Sequence, residues 1–391
     1  MKHPEMSNLS PSATFAGVYE LTARGMAAIS SIALTGQGAR AILDRLFNRP
    51  APACGTCVYG TIKGDSNVID SVVAACEQPD YYVIHCHGNP LLAEQIIRQC
   101  CRFGAILQQP EDILFSRFRK ESKTLIEAEA RLAMTQAATL EGVELLNQQI
   151  TGGLSAWATA WIESKSIDIE YLHQECSAII ERSHIAQRIL DGVRLALVGP
   201  PNSGKSTLLN WLAGQQEALV SDTAGTTRDW VSTVCRIGPL RVELFDTAGQ
   251  DGVLAAASEL DWAAQEAARQ VMASCDLIVE VCDCRISGLN VLPINPEVPF
   301  IKVFTKSDVL DNPGGGEADL AELQVLVSAA KGWGLERLCG AILSAMQVDA
   351  VSNSAICFTK RQLDIVRSII ETTEPDAVAE TLRKLIGEHG N

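Results

Sequence analysis

The feature that most constrains this chain is an octapeptide set between a strand and a helix. The apolar run Leu195-Ala196-Leu197-Val198 ends in Gly199-Pro200-Pro201-Asn202-Ser203-Gly204-Lys205-Ser206, and Thr207-Leu208-Leu209-Asn210-Trp211-Leu212 follows with helical character. GxxxxGKS in this strand-to-helix setting reads as a phosphate-binding loop. Its glycines let backbone N–H groups close around phosphate oxygens, and the helix N-terminus adds the positive end of its dipole. Lys205 brings a point charge to the β and γ phosphates, and the Ser206 hydroxyl suits magnesium. A ligand-free Gly-rich turn is the bland alternative, and the flanking strand and helix disfavour it.

Further segments follow in the order a nucleotide switch requires. Gly225-Thr226-Thr227-Arg228-Asp229 comes after the phosphate loop, where a threonine hydroxyl can complete magnesium ligation only while the γ phosphate is present. Asp246-Thr247-Ala248-Gly249 ends the run 242–245, so that Asp246 can hold the magnesium shell and the Gly249 amide can sense the γ phosphate. Thr305-Lys306-Ser307-Asp308 follows the apolar run 300–304. The Asp308 carboxylate can accept hydrogen bonds from the N1 and N2 donors of guanine, which adenine does not offer, so GTP is the expected nucleotide. Thr305 stands where this motif usually has asparagine, and a looser tether to the phosphate loop is expected. Ser328-Ala329-Ala330-Lys331 fits the segment whose backbone amide meets the guanine O6. Each short motif alone reads equally well as a polar strand-end loop; their joint order argues against coincidence.

Around these motifs, segments 194–198, 231–237, 240–245, 277–282, 300–304 and 323–327 read as strands. They alternate with helices from 205, up to 273 and over 334–346, the order of a doubly wound, mostly parallel α/β sheet. From 122 to 190 Gly and Pro nearly vanish and apolar residues recur at spacings of three and four, and 360–388 again reads as helix. Residues 14–110 mix a β-like run over 26–34, a helix over 38–47, strands near 56–63, 69–75 and 81–84, and a helix over 91–102. The fold class expected is therefore an α/β P-loop GTPase domain inserted into an α-helical domain, preceded by a small α+β domain. The boundaries expected are 1–115 for the N-terminal domain, 116–190 and 349–391 for the two parts of the helical domain, and 191–348 for the G domain.

A net charge of -15 excludes a surface that gathers nucleic acid by bulk attraction, so any RNA contact must be local or shared with a partner. The thirteen cysteines lack the spacing of a secreted disulfide framework, and Cys54-Gly55-Thr56-Cys57 has no second ligand pair at zinc spacing. No apolar run reaches the roughly 18 residues of a membrane span, and no signal peptide is evident. A soluble, cytoplasmic protein is expected.

The phosphate loop, the run Ser221-Asp222-Thr223-Ala224 leading into Gly225, and DTAG resemble the translation-factor-related GTPases that include Era, EngA and MnmE (TrmE). The layout, a helical domain interrupted by the G domain, resembles the MnmE family of tRNA-modification GTPases, with weaker collinear matches at His87-Gly88-Asn89-Pro90 and Glu127-Ala128-Glu129-Ala130. The resemblance implies that Asn202, the backbone carbonyls of Ser221 and Thr223, and Thr226 hold a potassium ion that offsets transition-state charge as an arginine finger does. It implies magnesium at Ser206 and Thr227, with Asp246 acting through water. The GTP-contacting set it implies is Asn202 to Thr207, Ser221 to Thr223, Thr226, Thr227, Asp246 to Gly249, Thr305 to Asp308 and Ser328 to Ala330. It further implies a cytoplasmic homodimer that works with an MnmG-like flavoprotein on wobble uridines of tRNA, using a folate carrier.

Three departures qualify that picture. Gln250 directly after DTAG competes with Glu259, the nearest match to the family's switch II glutamate, as the water-positioning group; Asp261 stays in contention because 253–258 blurs the register. The family's folate-anchoring arginine and glutamate fall at Ala33 and Val83, which makes a folate derivative doubtful. The family's C-terminal cysteine tail has no counterpart in Leu385-Ile386-Gly387-Glu388-His389-Gly390-Asn391. Two functional readings follow: a potassium-assisted GTPase serving tRNA modification, or a GTP-operated switch or assembly GTPase of the same descent that no longer modifies tRNA.

Overall fold

A computed structural model describes residues 15–22, 25–64, 67–164, 166–200, 202–214, 232–246, 273–285, 298–310, 324–351 and 354–387. The chain forms two compact units, divided between Lys120 and Glu121.

The first unit is a six-stranded sheet with helices packed against it. Its strands are β1 (Gly17–Glu20), β2 (Ile29–Thr35), β3 (Thr56–Lys63), β4 (Val68–Gln78), β5 (Tyr81–His87) and β6 (Ile106–Leu107), in spatial order β3-β4-β5-β2-β1-β6. Helices α1 (Ala39–Leu46), α2 (Pro90–Arg102) and α3 (Pro110–Glu121) complete it. Alternation along β2 and β5 sends Ile32, Leu34, Ile84 and Cys86 into a core shared with Leu43 of α1 and Ile96 of α2. Helix α2 starts where the Asn89 side chain accepts from the Leu91 amide and Pro90 presets the first turn. The β-like run expected at 26–34 begins only at Ile29; before it, the Ala27 amide donates to the Gly88 carbonyl and the Gly88 amide to the Ala28 carbonyl. Strands β1 and β6 were not expected; with four and two residues they carry no readable period, and they exist because β1 pairs with β2 on one side and β6 on the other.

In the second unit, helices α4 (Leu125–Met134), α5 (Leu140–Thr151), α6 (Leu154–Glu163) and α7 (Ile169–Asp191) precede a second sheet. Its strands are β7 (Val193–Val198), β8 (Ser232–Ile237), β9 (Leu240–Asp246), β10 (Leu277–Asp283), β11 (Phe300–Thr305) and β12 (Gln324–Leu326), in order β12-β11-β10-β7-β9-β8. All pairings are parallel except β8 with β9. The described helices that follow the first strand are α8 (Lys205–Gly214), α9 (Leu335–Ala345), α10 (Lys360–Ile370) and α11 (Pro375–Ile386). All seven residues of β10 are buried, as expected of a parallel strand covered on both faces. The helix expected over 360–388 is instead two helices, because Pro375 has no N–H to continue α10 and opens α11. The helix expected to run up to 273 lies outside the described residues.

Helices from both sides of the sheet in sequence share one core: Ile126, Leu146, Leu172 and Ile179 pack with Val366, Ile369, Leu382 and Leu385. Within it Glu129 is buried and accepts from Arg361 Nε and Nη2 at 2.6 Å each and from Gln362 Nε2 at 2.7 Å. Arg361 also donates to the Lys384 and Leu385 carbonyls, so one buried carboxylate ties α4, α10 and the end of α11 together. Among the described residues no helix is long and apolar enough to cross a membrane.

Candidate functional site

Parallel strands deliver their C-terminal ends to one edge, and the candidate residues collect there. Register places Asp246 opposite Leu197 and Asp283 opposite Thr305. The phosphate loop leaves β7 at this edge. Gly199 has φ +154°, and a Cβ there would stand 2.1 Å from the Val281 carbonyl oxygen, so only glycine lets the loop pass β10. Gly204, at φ +98°, turns the loop into α8, whose Leu208, Leu209 and Leu212 are buried against the sheet. Asn202 also adopts the left-handed region, φ +60°, without being glycine.

Lys205 is buried, and its ammonium donates to the Gly199 and Pro200 carbonyls at 2.8 and 2.9 Å. Among the described residues the buried Ser203 hydroxyl has no hydrogen-bond partner, a donor inside the loop of the kind a bound phosphate oxygen would satisfy. Ser206 Oγ donates to Asp246 Oδ2 at 3.0 Å, so a hydroxyl and a carboxylate converge at the N-terminus of α8. That pair of hard oxygen ligands beside a phosphate cradle fits magnesium. Pro201, Ser221, Asp222, Thr223, Thr226, Thr227, Thr247, Ala248, Gly249, Gln250, Glu259 and Asp261 lie outside the described residues.

The base-side segment is drawn to the same place. Thr305 is buried; its hydroxyl donates to the Ser203 carbonyl and lies 3.1 Å from the Cys282 carbonyl. The expected loosening by threonine is therefore corrected: a hydroxyl placed by the β10–β11 register reaches the phosphate-loop backbone directly. Lys306, at φ +59°, donates to the Asn202 carbonyl at 2.7 Å and to Asp283 Oδ2 at 2.8 Å. Ser307 is buried, with its amide on the Val327 carbonyl. Asp308 is exposed, and Oδ1 accepts from Ser328 Oγ at 2.6 Å. That bond, and Asp308's own backbone N–H, hold its carboxyl below the usual carboxylate value, so it is ionised and ready to accept. Ser328 and Trp333 exchange backbone hydrogen bonds around the turn that contains Ala329 and Ala330, which places the turn next to Asp308. Asp283 was not among the expected site residues. Its only sequence signal is a second acidic residue, after Glu280, at the end of a largely apolar strand.

In the first unit, Ala33 and Val83 pair directly across β2 and β5 and are both buried. Their side chains offer no hydrogen-bonding or charged group. At the far end of β5, the partly buried Asp70 carboxylate accepts from the His87 amide at 2.8 Å and sits 2.7 Å from its ring Nδ1.

Comparison with known proteins points to the same chemistry in sequence. The family model described as a 50S ribosome-binding GTPase matches residues 194–306. The tRNA modification GTPase MnmE of Desulfitobacterium hafniense (strain Y51) is 30% identical over 342 residues, covering 76% of this chain and 73% of that protein. The MnmE of Methylococcus capsulatus is 24% identical over 416 residues, covering 94% of this chain and 92% of that protein. Aquifex aeolicus Era bound to GDP.AlF4- is 30% identical over 39% of this chain and 56% of its own, at a TM-score of 0.30. The GTPase family carries with it binding of GTP and GDP and dependence on Mg2+. With a phosphate-loop sheet on one side and collinear similarity through both units on the other, the chain belongs to the MnmE family and is a GTP-hydrolysing enzyme.

Proposed function

We propose that this enzyme hydrolyses GTP with magnesium held by Ser206, Thr227 and, through water, Asp246, and with potassium held by Asn202, Ser221, Thr223 and Thr226. The observation that carries the reading is the convergence of Ser206 and Asp246 beside the buried Lys205. Magnesium would shield phosphate charge, and potassium would offset the charge that builds up in the transition state. Of the potassium set only Asn202 lies in the described residues. Asp308 selects guanine, and Lys205 stabilises the transferring phosphate. Gln250 and Glu259 compete to orient the attacking water, with Asp261 a third candidate; single-turnover hydrolysis by the three alanine variants separates them.

Downstream, the family relationship supports a role in modifying the wobble uridine of tRNA, in the cytoplasm, as a homodimer with an MnmG-like flavoprotein. The division into 1–115, 116–190, 191–348 and 349–391 belongs to the same reading. A specific observation favours the second reading, a switch or assembly GTPase that no longer modifies tRNA: the buried, apolar Ala33–Val83 pair stands where the family's polar folate anchors fall. The folate carrier is accordingly left out of the proposed cofactors.

Mass spectrometry of wobble uridines in tRNA decides between the readings. If the first holds, cells lacking the gene lose the modified base, the intact gene restores it, and Lys205→Ala does not. Unaltered uridines in the deleted cells support the switch instead.

A further inference from the structure

Buried carboxylates need partners, and Asp283 accepts four hydrogen bonds from two residues. Its side chain is 4% exposed at the end of β10. Oδ1 accepts from the Arg285 amide at 3.0 Å and Arg285 Nε at 2.9 Å, and Oδ2 accepts from Arg285 Nη2 at 2.6 Å and Lys306 Nζ at 2.8 Å. The half-exposed Arg285 guanidinium spans both carboxylate oxygens, and Oδ2 is shared between it and Lys306.

The lysine carries the connection further. Among the described residues four that are not glycine have positive φ: Asp80, Asn202, Lys306 and Gln347. Two of these, Asn202 and Lys306, are joined by the Lys306 ammonium, which donates to the Asn202 carbonyl at 2.7 Å. Left-handed backbone in such residues persists only where surroundings over-determine it. Here the surroundings are one ammonium group fixed between a strand-end carboxylate and a phosphate-loop carbonyl. Thr305, one residue earlier, binds the Ser203 carbonyl and thus grips the adjacent peptide of the same loop.

We propose that Asp283 is a positioning residue: by anchoring Lys306 against the Asn202 carbonyl, it locks the guanine-recognition segment to the phosphate loop and holds both in the shape that accepts the nucleotide. The inference rests on the proposed roles of Asp308 and the phosphate loop. Asp283 itself faces its two cationic partners and acts through Lys306, without contacting the nucleotide. A purely structural role, capping the turn at Arg285, would leave Lys306 out of the account.

The test is a double-mutant cycle read by GDP affinity, using a fluorescent GDP analogue and the full chain with magnesium. Asp283→Asn keeps shape and one acceptor but removes the charge; Lys306→Met keeps the aliphatic stem but removes the ammonium. Each should weaken GDP binding about tenfold, the loss of one charge-assisted hydrogen bond. The double variant should be within about twofold of Lys306→Met alone, because the two residues act as one unit. Arg285→Met should bind GDP like the wild type, since Asp283 then keeps Lys306. Wild-type affinity in Asp283→Asn, losses that multiply to about a hundredfold in the double variant, or a loss in Arg285→Met equal to that of Asp283→Asn would each overturn the proposal. Should Asp283→Asn not fold, Lys306→Met and Arg285→Met still decide: undiminished affinity in the first, or a tenfold loss in the second, overturns it. Asp308→Asn distinguishes a failure of the underlying reading, because unchanged preference for guanine over xanthine nucleotides would undo the base-recognition assignment whatever the cycle gives.

Discussion

Thr305→Val removes one hydroxyl and almost no volume, and it isolates the tether between the two nucleotide-binding segments. The side chain is 4% exposed, and its single proton serves the Ser203 carbonyl, with the Cys282 carbonyl 3.1 Å away. Valine keeps the packing against Gly204, where a Cβ would lie 3.4 Å from Thr305 Cβ. What is lost is a donor to a buried carbonyl, at a cost of about 1–3 kcal/mol. Part of this appears as stability, with a fall in unfolding midpoint of about 2–4 °C for each kcal/mol in a domain of this size. The rest appears on binding: without its partner the Ser203 carbonyl turns toward water, and the loop must close again to receive GDP. A penalty of about 2 kcal/mol expressed wholly on binding would weaken GDP by roughly 30-fold. Thr305→Ser, which keeps the donor, should recover most of the affinity. Calorimetric titration with GDP, paired with thermal unfolding of the same samples, measures both parts. If Thr305→Val matches the wild type in affinity and in midpoint, the tether contributes nothing and the reasoning is refuted.

Hydrolysis should be much faster in potassium than in sodium chloride, and Asn202→Ala should erase the difference; phosphate release at matched ionic strength tests this, and equal rates in both salts for the wild type would remove potassium from the site. Glu129→Ala should cost about 3 kcal/mol in urea unfolding, the lower end for a broken buried pair because Arg361 is a third exposed; a loss under about 1 kcal/mol would contradict the network's role. At acid pH the first unit should weaken through Asp70. Burial pushes its carboxyl up, but hydrogen bonds from the His87 amide, the His87 ring and the Ser71 amide outweigh this and hold it below the usual carboxylate value. A depressed folded value means that the stabilisation is present above the unfolded carboxylate pKa and is lost as pH falls through the folded one. Urea midpoints measured down to about pH 3 should therefore fall less steeply for Asp70→Asn, and parallel curves would discard the assignment.

Local pattern made much of this protein legible. Strand 195–198, the glycine-bracketed loop and the helix from Lys205 are contiguous, so steric rules for glycine and the periodicity of apolar residues announce them without help from the rest of the chain. The same holds for Thr305 to Asp308 at the end of β11, for Ser328 after β12, and for the long helices α5 and α7. Short or partner-dependent elements were not legible: β1 is placed by its pairing with β2 and β6 by its pairing with β1, and the break between α10 and α11 depends on Pro375 outweighing a helical run.

The sequence by itself determined which chemistry the chain carries, because a phosphate-loop motif and the carboxylate proposed to read guanine, Asp308, each lie in a segment of residues close in the chain. Only the tertiary structure decided how those pieces act as one site. Thr305 and Lys306 meet Ser203 and Asn202 across about a hundred residues, and they do so because parallel register aligns the ends of β10 and β11 beside the loop that leaves β7. Asp283 could not be singled out before that register was known. A carboxylate at the end of a largely apolar strand acquires meaning only from the two cations that the fold brings to it.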